Sequence, residues 1–205
     1  ALVVSVSLPQ SPAVPATGSI YAKTFRGIAI YLRTPRLRGL LGLNLAAAAG
    51  SSMVIVNTVV YVQSKLLRPS SDVPFALAAF GCGSMLIALF LPKLLDQRPD
   101  RPAMLAGAAL MGGGLIAGAF VATMGGAYEW PALLMTWFVI GVGYSTTLTP
   151  SGRLSRRSAS SDSRPAVFAA QFSLSHVCWL ITYPIAGFMG AKFGMPATFV
   201  VLAAI

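Results

Sequence analysis

The chain has 205 residues, 56% of them hydrophobic and only 10% charged, where a water-soluble domain carries roughly 25% charged residues. So little charge cannot cover a globular surface in water, which excludes an ordinary soluble domain and makes lipid the expected solvent. The net charge of +10 is therefore not read as a nucleic-acid footprint, and no nucleic-acid partner is expected.

In chain order, residues 1–8, ALVVSVSL, read as the end of a preceding transmembrane helix. The competing reading is the apolar core of a signal peptide with AVPA as a poor cleavage site, but no basic segment precedes it. Residues 9–38 read as a central cytoplasmic linker. Its first part, PQSPAVPATGS, is rich in Pro, Ser and Ala. In the second part Tyr21, Phe25, Ile28 and Leu32 recur at helical spacing while Lys23, Arg26 and Arg33 fall off that stripe. That pattern predicts an amphipathic helix on the membrane surface, ended or bent by Pro35; an unstructured basic loop is the alternative.

Residues 39–205 read as a transmembrane bundle. Charge is absent from 39–64, 73–92, 102–128, 130–152 and 165–191, and crossing about 30 Å of hydrocarbon takes about 20 apolar residues. The predicted spans are about 39–62, 73–92, 102–123, 130–150 and 166–190, with 195–205 the start of a truncated sixth. The fold class expected is all-α: a polytopic membrane helix bundle of five complete transmembrane helices with partial ones before and after.

Alternating the spans gathers twelve of the fifteen Lys and Arg residues into 9–38, 93–101 and 151–164, and leaves Lys65, Arg68 and Lys192 on the other face. Basic loops stay on the cytoplasmic side, so those three segments are expected to be cytoplasmic. Cys82 and Cys178 both fall within spans and suggest packing residues, with no disulfide or metal pattern.

The spans differ in polarity. The first holds Asn44, Ser51, Ser52, Asn57, Thr58 and Tyr61, with Asn44, Ala48, Ser51, Ile55 and Thr58 on one face. The second is nearly bare, with Gly81 and Gly83 for close packing, and the third has Thr123 at its end and a Gly114–Gly118 pair. The fourth carries Tyr144 among Ser and Thr residues. The fifth is the most polar, with Gln171, Ser175, Cys178 and Thr182 on one face, Ser173, His176 and Tyr183 on the next, and Pro184 expected to loosen it. An unpaired polar group in hydrocarbon costs several kcal/mol, on the order of a lost hydrogen bond. The first, fourth and fifth spans are therefore expected to line a cavity, with the third behind them or facing lipid.

One hairpin stands out. LPKLLDQRPDRP, between the second and third spans, packs Lys93, Asp96, Arg98, Asp100 and Arg101 into nine positions. It resembles the loop motif of the major facilitator superfamily, G-x-L-x-D-R-x-G-R-R/K: Leu94, Asp96 and Arg101 match its leucine, aspartate and last basic position. Pro92 and Pro99 replace its glycines, and Gln97 and Asp100 replace two basic residues. The degraded form is similar to the copy between the family's eighth and ninth helices, which implies the C-terminal half of a twelve-helix transporter, working with an N-terminal half. The resemblance implies that helices seven, eight, ten and eleven contribute to a central cavity. It also implies a conformational gate at the helix ends, with Asp96 pairing with Arg98 or Arg101 in one state and separating in the other, or bonding to the end of a neighbouring helix; a solvated turn with surface ion pairs worth about 0–1 kcal/mol is the alternative.

His176 is the only histidine and lies well inside a span with no Asp, Glu, Lys or Arg beside it. An intramembrane ionisable side chain is a candidate for substrate binding or for carrying a coupling proton; the bland alternative is a histidine bonded to a neighbouring helix. Asn44, Asn57, Gln171 and Tyr144 are candidate substrate hydrogen-bonding groups, with interhelical bonding the competing role for each. Without a nucleotide-binding glycine loop, a metal-ligand cluster or a Ser–His–Asp set, no enzyme activity or cofactor is expected. The expected function is secondary active transport of a small organic solute by alternating access, in the efflux direction because the family holds many exporters, in a bacterial inner membrane. The alternative is a transporter-like membrane sensor or interaction module that moves no solute.

Overall fold

The computed structural model describes residues 20–96 and 99–205, with side chains from Phe25 onward. The segments expected over 1–8 and 9–19, the side chains of Tyr21 and Lys23, and gate candidate Arg98 lie outside the described residues. Among the described residues there are helices and turns but no strand. In order they are α1 (Ile20–Arg33), α2 (Pro35–Val60) continued by a π-helical turn (Tyr61–Lys65), a short 3-10 turn (Ser70–Asp72), α3 (Val73–Leu95), α4 (Asp100–Met124), α5 (Glu129–Leu148), α6 (Ser151–Arg157) and α7 (Arg164–Ala203). Five helical stretches are long and apolar enough to cross a bilayer: Pro35–Lys65, Ser70–Leu95, Asp100–Met124, Glu129–Arg157 and Arg164–Ala203. The protein is an all-α integral membrane bundle.

Local chemistry explains the boundaries. Thr34 is extended (φ −90°, ψ 111°) and Pro35 opens α2, where a missing N–H costs nothing and the fixed φ suits a first helical turn. Pro184 was expected to loosen the fifth span, yet α7 runs through it; the break comes at Gly194 (φ 78°, ψ 175°). That backbone region is open to glycine and costly for other residues. Residues 164–193 therefore form one membrane-length helix, and 195–203 form a second that starts back across. The basic stretch after Pro150, expected as loop, is also helical: Ser151–Arg157 forms α6 and extends α5 beyond the apolar region.

α5 lies between α3 and α4, and α2 packs on α7, α5 and α4. Glycines set the closest approaches. A Cβ on Gly83 would collide with the Phe138 carbonyl, and one on Gly141 with the Phe80 carbonyl, so α3 and α5 meet backbone to backbone. Gly107 and Gly143 do the same for α4 and α5. The Gly114–Gly118 pair does not make one crossing: Gly114 faces Ile140 of α5, and Gly118 faces Phe199 in the segment after Gly194. Lipid-facing flanks follow from what is left over. Phe75, Met85, Leu89 and Phe90 of α3 and Ile116 and Phe120 of α4 point outward; Cys82 is exposed too, so only Cys178 is a buried packing thiol.

The amphipathic helix packs on the bundle through Gly27 and Tyr31 and leaves much of its apolar stripe uncovered by protein. Phe25 and Leu32 are exposed, while Gly27 lies against the Ala166 carbonyl of α7 and Tyr31 is fully buried with Leu37, Leu40, Met104, Val167 and Ala170. The Tyr31 hydroxyl donates to Gln171 Oε1. Burial, then the neighbouring Cys178, pushes the Tyr31 phenol well above its ordinary range, which keeps it in the donor form.

Candidate functional site

Three helices converge on a shallow cavity of about 180 Å³ lined by Asn44 of α2, Leu148 of α5, and Ser175, His176 and Trp179 of α7. Two of the residues singled out in the sequence, Asn44 and His176, thus meet across 132 positions of chain. Each polar side chain here is oriented by its own helix. Asn44 Nδ2 donates to the Leu40 carbonyl (2.8 Å). Ser175 Oγ donates to the Phe172 carbonyl (2.9 Å), and His176 Nδ1 lies 2.7 Å from the same carbonyl. The His176 ring also stacks on Phe172, with centroids 4.2 Å apart.

The other candidates lie elsewhere. Asn57 is buried and donates to the Ala186 carbonyl (3.1 Å), joining α2 to α7. Gln171 accepts from Tyr31. Tyr144 packs on Phe80 of α3, centroids 5.5 Å apart. The hydroxyls of Ser51, Ser52 and Thr58 bond back to the α2 carbonyls of Ala48, Ala49 and Val54. That local bonding satisfies them inside the bundle without a cavity, so polarity alone overstated how much of α2 faces open space. Ile55, placed on the same face, is exposed.

A larger depression of about 650 Å³ lies between the starts of α2 and α4 and takes in Arg36 and gate candidate Arg101. Its other contributors include Leu40, Leu43, Met104 and Leu105. It lacks a convergent set of polar groups, which is what marks a binding site within an apolar wall, so the smaller cavity is the better candidate.

The charged hairpin is organised by α6. Arg153 of α6 reaches Asp96 Oδ1 at 3.5 Å, donates to the Leu95 carbonyl at 3.1 Å, and pairs with Asp100. Arg157 contacts Asp100 Oδ2 at 3.0 Å. The Asp100 side chain is only 5% exposed and that of Asp96 75%, so Asp100 is the centre of the cluster. Of the partners expected for Asp96, Arg98 lies outside the described residues and Arg101 has no ion pair among them; the described partner is Arg153. The sequence reading passed over Asp100, which stands where the motif has a basic residue.

The opposite end of the bundle has a second buried carboxylate. Glu129, 3% exposed, accepts from the Tyr61 hydroxyl at 2.9 Å and pairs with Lys65. The π-helical turn bonds backbone groups at i and i+5, and Tyr61 and Lys65 at its two ends both reach Glu129. Beside them Arg68 pairs with Asp72 at 2.6 Å and stacks over Trp130 at 4.4 Å. Below, Trp137 Nε1 donates to Thr58 Oγ1 at 2.8 Å, and Tyr61, Trp137 and Phe199 meet edge to face. Buried carboxylates thus stand at both ends of the bundle, each at the start of its helix, while His176 lies well inside α7.

The family model for the Major Facilitator Superfamily matches residues 40–205, well over half of the chain. The chain belongs to the major facilitator superfamily. No curated protein and no solved structure matches it. Membership agrees with the hairpin resemblance and supports secondary transport of a solute as the general activity.

Proposed function

We propose that this chain is the C-terminal half of a secondary transporter that exports a small organic solute by alternating access, with its basic loops on the cytoplasmic side of a bacterial inner membrane. The observation that carries the reading is the cavity that α2, α5 and α7 line with Asn44, Ser175 and His176 beside Leu148 and Trp179. In a family built on two rocking halves, an N-terminal half would face these helices and complete the cavity. Asn44 and His176 are the proposed substrate contacts, and His176 the proposed carrier of a coupling proton. The Asp96–Asp100–Arg153–Arg157 cluster supports a gate at the cytoplasmic ends, since ion pairs that join α4 to α6 can open and re-form as the half tilts. Its proposed counterpart at the outer end is Glu129 with Tyr61 and Lys65.

The test is solute efflux from proteoliposomes of the full-length protein, driven by an imposed pH gradient. Gradient-driven flux that falls at least tenfold in Asn44→Leu and His176→Phe supports the reading. Binding without flux in any gradient or direction overturns it in favour of a sensor.

A further inference from the structure

We infer that the cavity selects solutes that donate hydrogen bonds, in particular aromatic amines, and rejects carboxylates. The inference rests on the transport reading for the location of the site and on hydrogen-bond bookkeeping for its chemistry.

The protons of the cavity's polar side chains are largely committed to the backbone. The Ser175 hydroxyl proton goes to the Phe172 carbonyl. A carbonyl only accepts, so the His176 nitrogen 2.7 Å from it, Nδ1, carries the ring proton. A neutral imidazole with its proton on Nδ1 offers only a lone pair at Nε2. One Asn44 N–H is committed to the Leu40 carbonyl, and this fixes the amide so that Oδ1 is its other face. Asn44 Oδ1 accepts no hydrogen bond among the described residues, nor is it among their sealed, unpartnered polar atoms. With the ring neutral, the cavity is thus lined with three acceptors, Asn44 Oδ1, Ser175 Oγ and His176 Nε2, against two uncommitted donors, one Asn44 N–H and the Trp179 indole N–H.

Leu148 and Trp179, which complete the cavity, add no acid or cation. A carboxylate would meet those acceptors with no cation in the lining to balance its charge. An ammonium or amine brings N–H groups that the acceptors can use.

The apolar part of the ligand has a place as well. Phe172, His176, Trp179 and Tyr183 follow one another at spacings of four, three and four along α7, which puts them on one stripe. The rings pair along it, Phe172 with His176 (centroids 4.2 Å apart) and Trp179 with Tyr183 (5.7 Å). Phe172 and His176 are exposed. Such faces stack a planar ring and attract a cation.

The test uses three probes of similar size: 2-phenylethylamine, its N,N,N-trimethyl ammonium derivative, which keeps the charge but has no N–H, and 3-phenylpropionate. Binding to the full-length protein is measured by titration calorimetry, and flux separately in proteoliposomes. The expected order is amine, then trimethyl ammonium, then carboxylate, with about tenfold between the first two, a step of about 1.4 kcal/mol. His176→Phe keeps the ring stack and should bring the first two within about threefold, while His176→Gln, which restores an acceptor, should recover part of the gap. A thermal midpoint unchanged in both variants shows that the exposed position tolerates them. Equal binding of amine and trimethyl ammonium, tighter binding of the carboxylate, or no binding of any probe overturns the inference. The expected order without flux leaves the inference standing and overturns the transport reading.

Discussion

The carboxylate of Asp100, buried at the first turn of α4, is held by the guanidinium of Arg153, fifty-three residues away on α6. Asp100 also sits where a helix N-terminus favours negative charge. Removing Arg153 leaves a buried carboxylate with Arg157 alone, and the Arg157 side chain is 65% exposed. Arg153→Ala is expected to destabilise the protein by about 1–3 kcal/mol, the range for a lost charge-assisted bond at a partly exposed site. Arg157→Ala should cost less than about 1 kcal/mol. Thermal unfolding in detergent checks both, and equal effects would remove Arg153 from the centre of the cluster.

The two aspartates of the hairpin should separate in transport. Asp96→Asn is expected to change flux less than about twofold, since its single described contact is long, exposed and of the kind worth about 0–1 kcal/mol. Asp100→Asn should slow flux about tenfold or more if its ion pairs must re-form in each cycle, by the usual conversion of about 1.4 kcal/mol per decade. Flux assays on the two variants decide it; a larger effect at Asp96 would return the gate to the residue that matches the family motif.

Glycine contacts give a pair of opposite expectations. Gly143→Ala would push a methyl into the backbone of α4 at Gly107 and Met111, and overpacking of this kind costs about 1–3 kcal/mol. Gly112→Ala meets nothing within 4 Å and gains helix propensity of up to about 1 kcal/mol. The unfolding midpoint should fall for the first and hold or rise for the second.

Asn57 and Asn44 were indistinguishable in the sequence, and the structure separates them. Asn57→Leu removes the bond to Ala186 and should lower stability, by about 0.6 kcal/mol for an average interhelical bond and more if the larger shape fits poorly. It should leave the order of solute preference unchanged. Asn44→Leu should alter that preference with a smaller change in midpoint. Calorimetric binding alongside thermal unfolding tests the contrast, and a changed preference in Asn57→Leu would refute it.

Helix number, class and polarity were legible because they are properties of consecutive residues. Runs free of charge mark spans whatever their neighbours are. Proximity between distant helices was not legible. Nothing local to Arg153 in SGRLSRR points to Asp100, and nothing local to Glu129, between Tyr128 and Trp130, points to Lys65 and Tyr61. The cavity was half legible: a lone histidine in a span drew attention by rarity, whereas Trp179, three residues on, looked like ordinary apolar sequence. The Gly114–Gly118 spacing shows that a helix can be approached closely but not by which helix: Ile140 comes against the one glycine and Phe199 against the other.

The bond from Tyr31 to Gln171 fastens a short surface helix to the same rod that carries His176 five residues further along. α1 therefore rides with α7 as luggage, so a tilt of α7 carries α1 with it. A spin label on the exposed face of α1, at Phe25, would consequently act as an external pointer to the tilt of a helix whose own surface is occupied with binding.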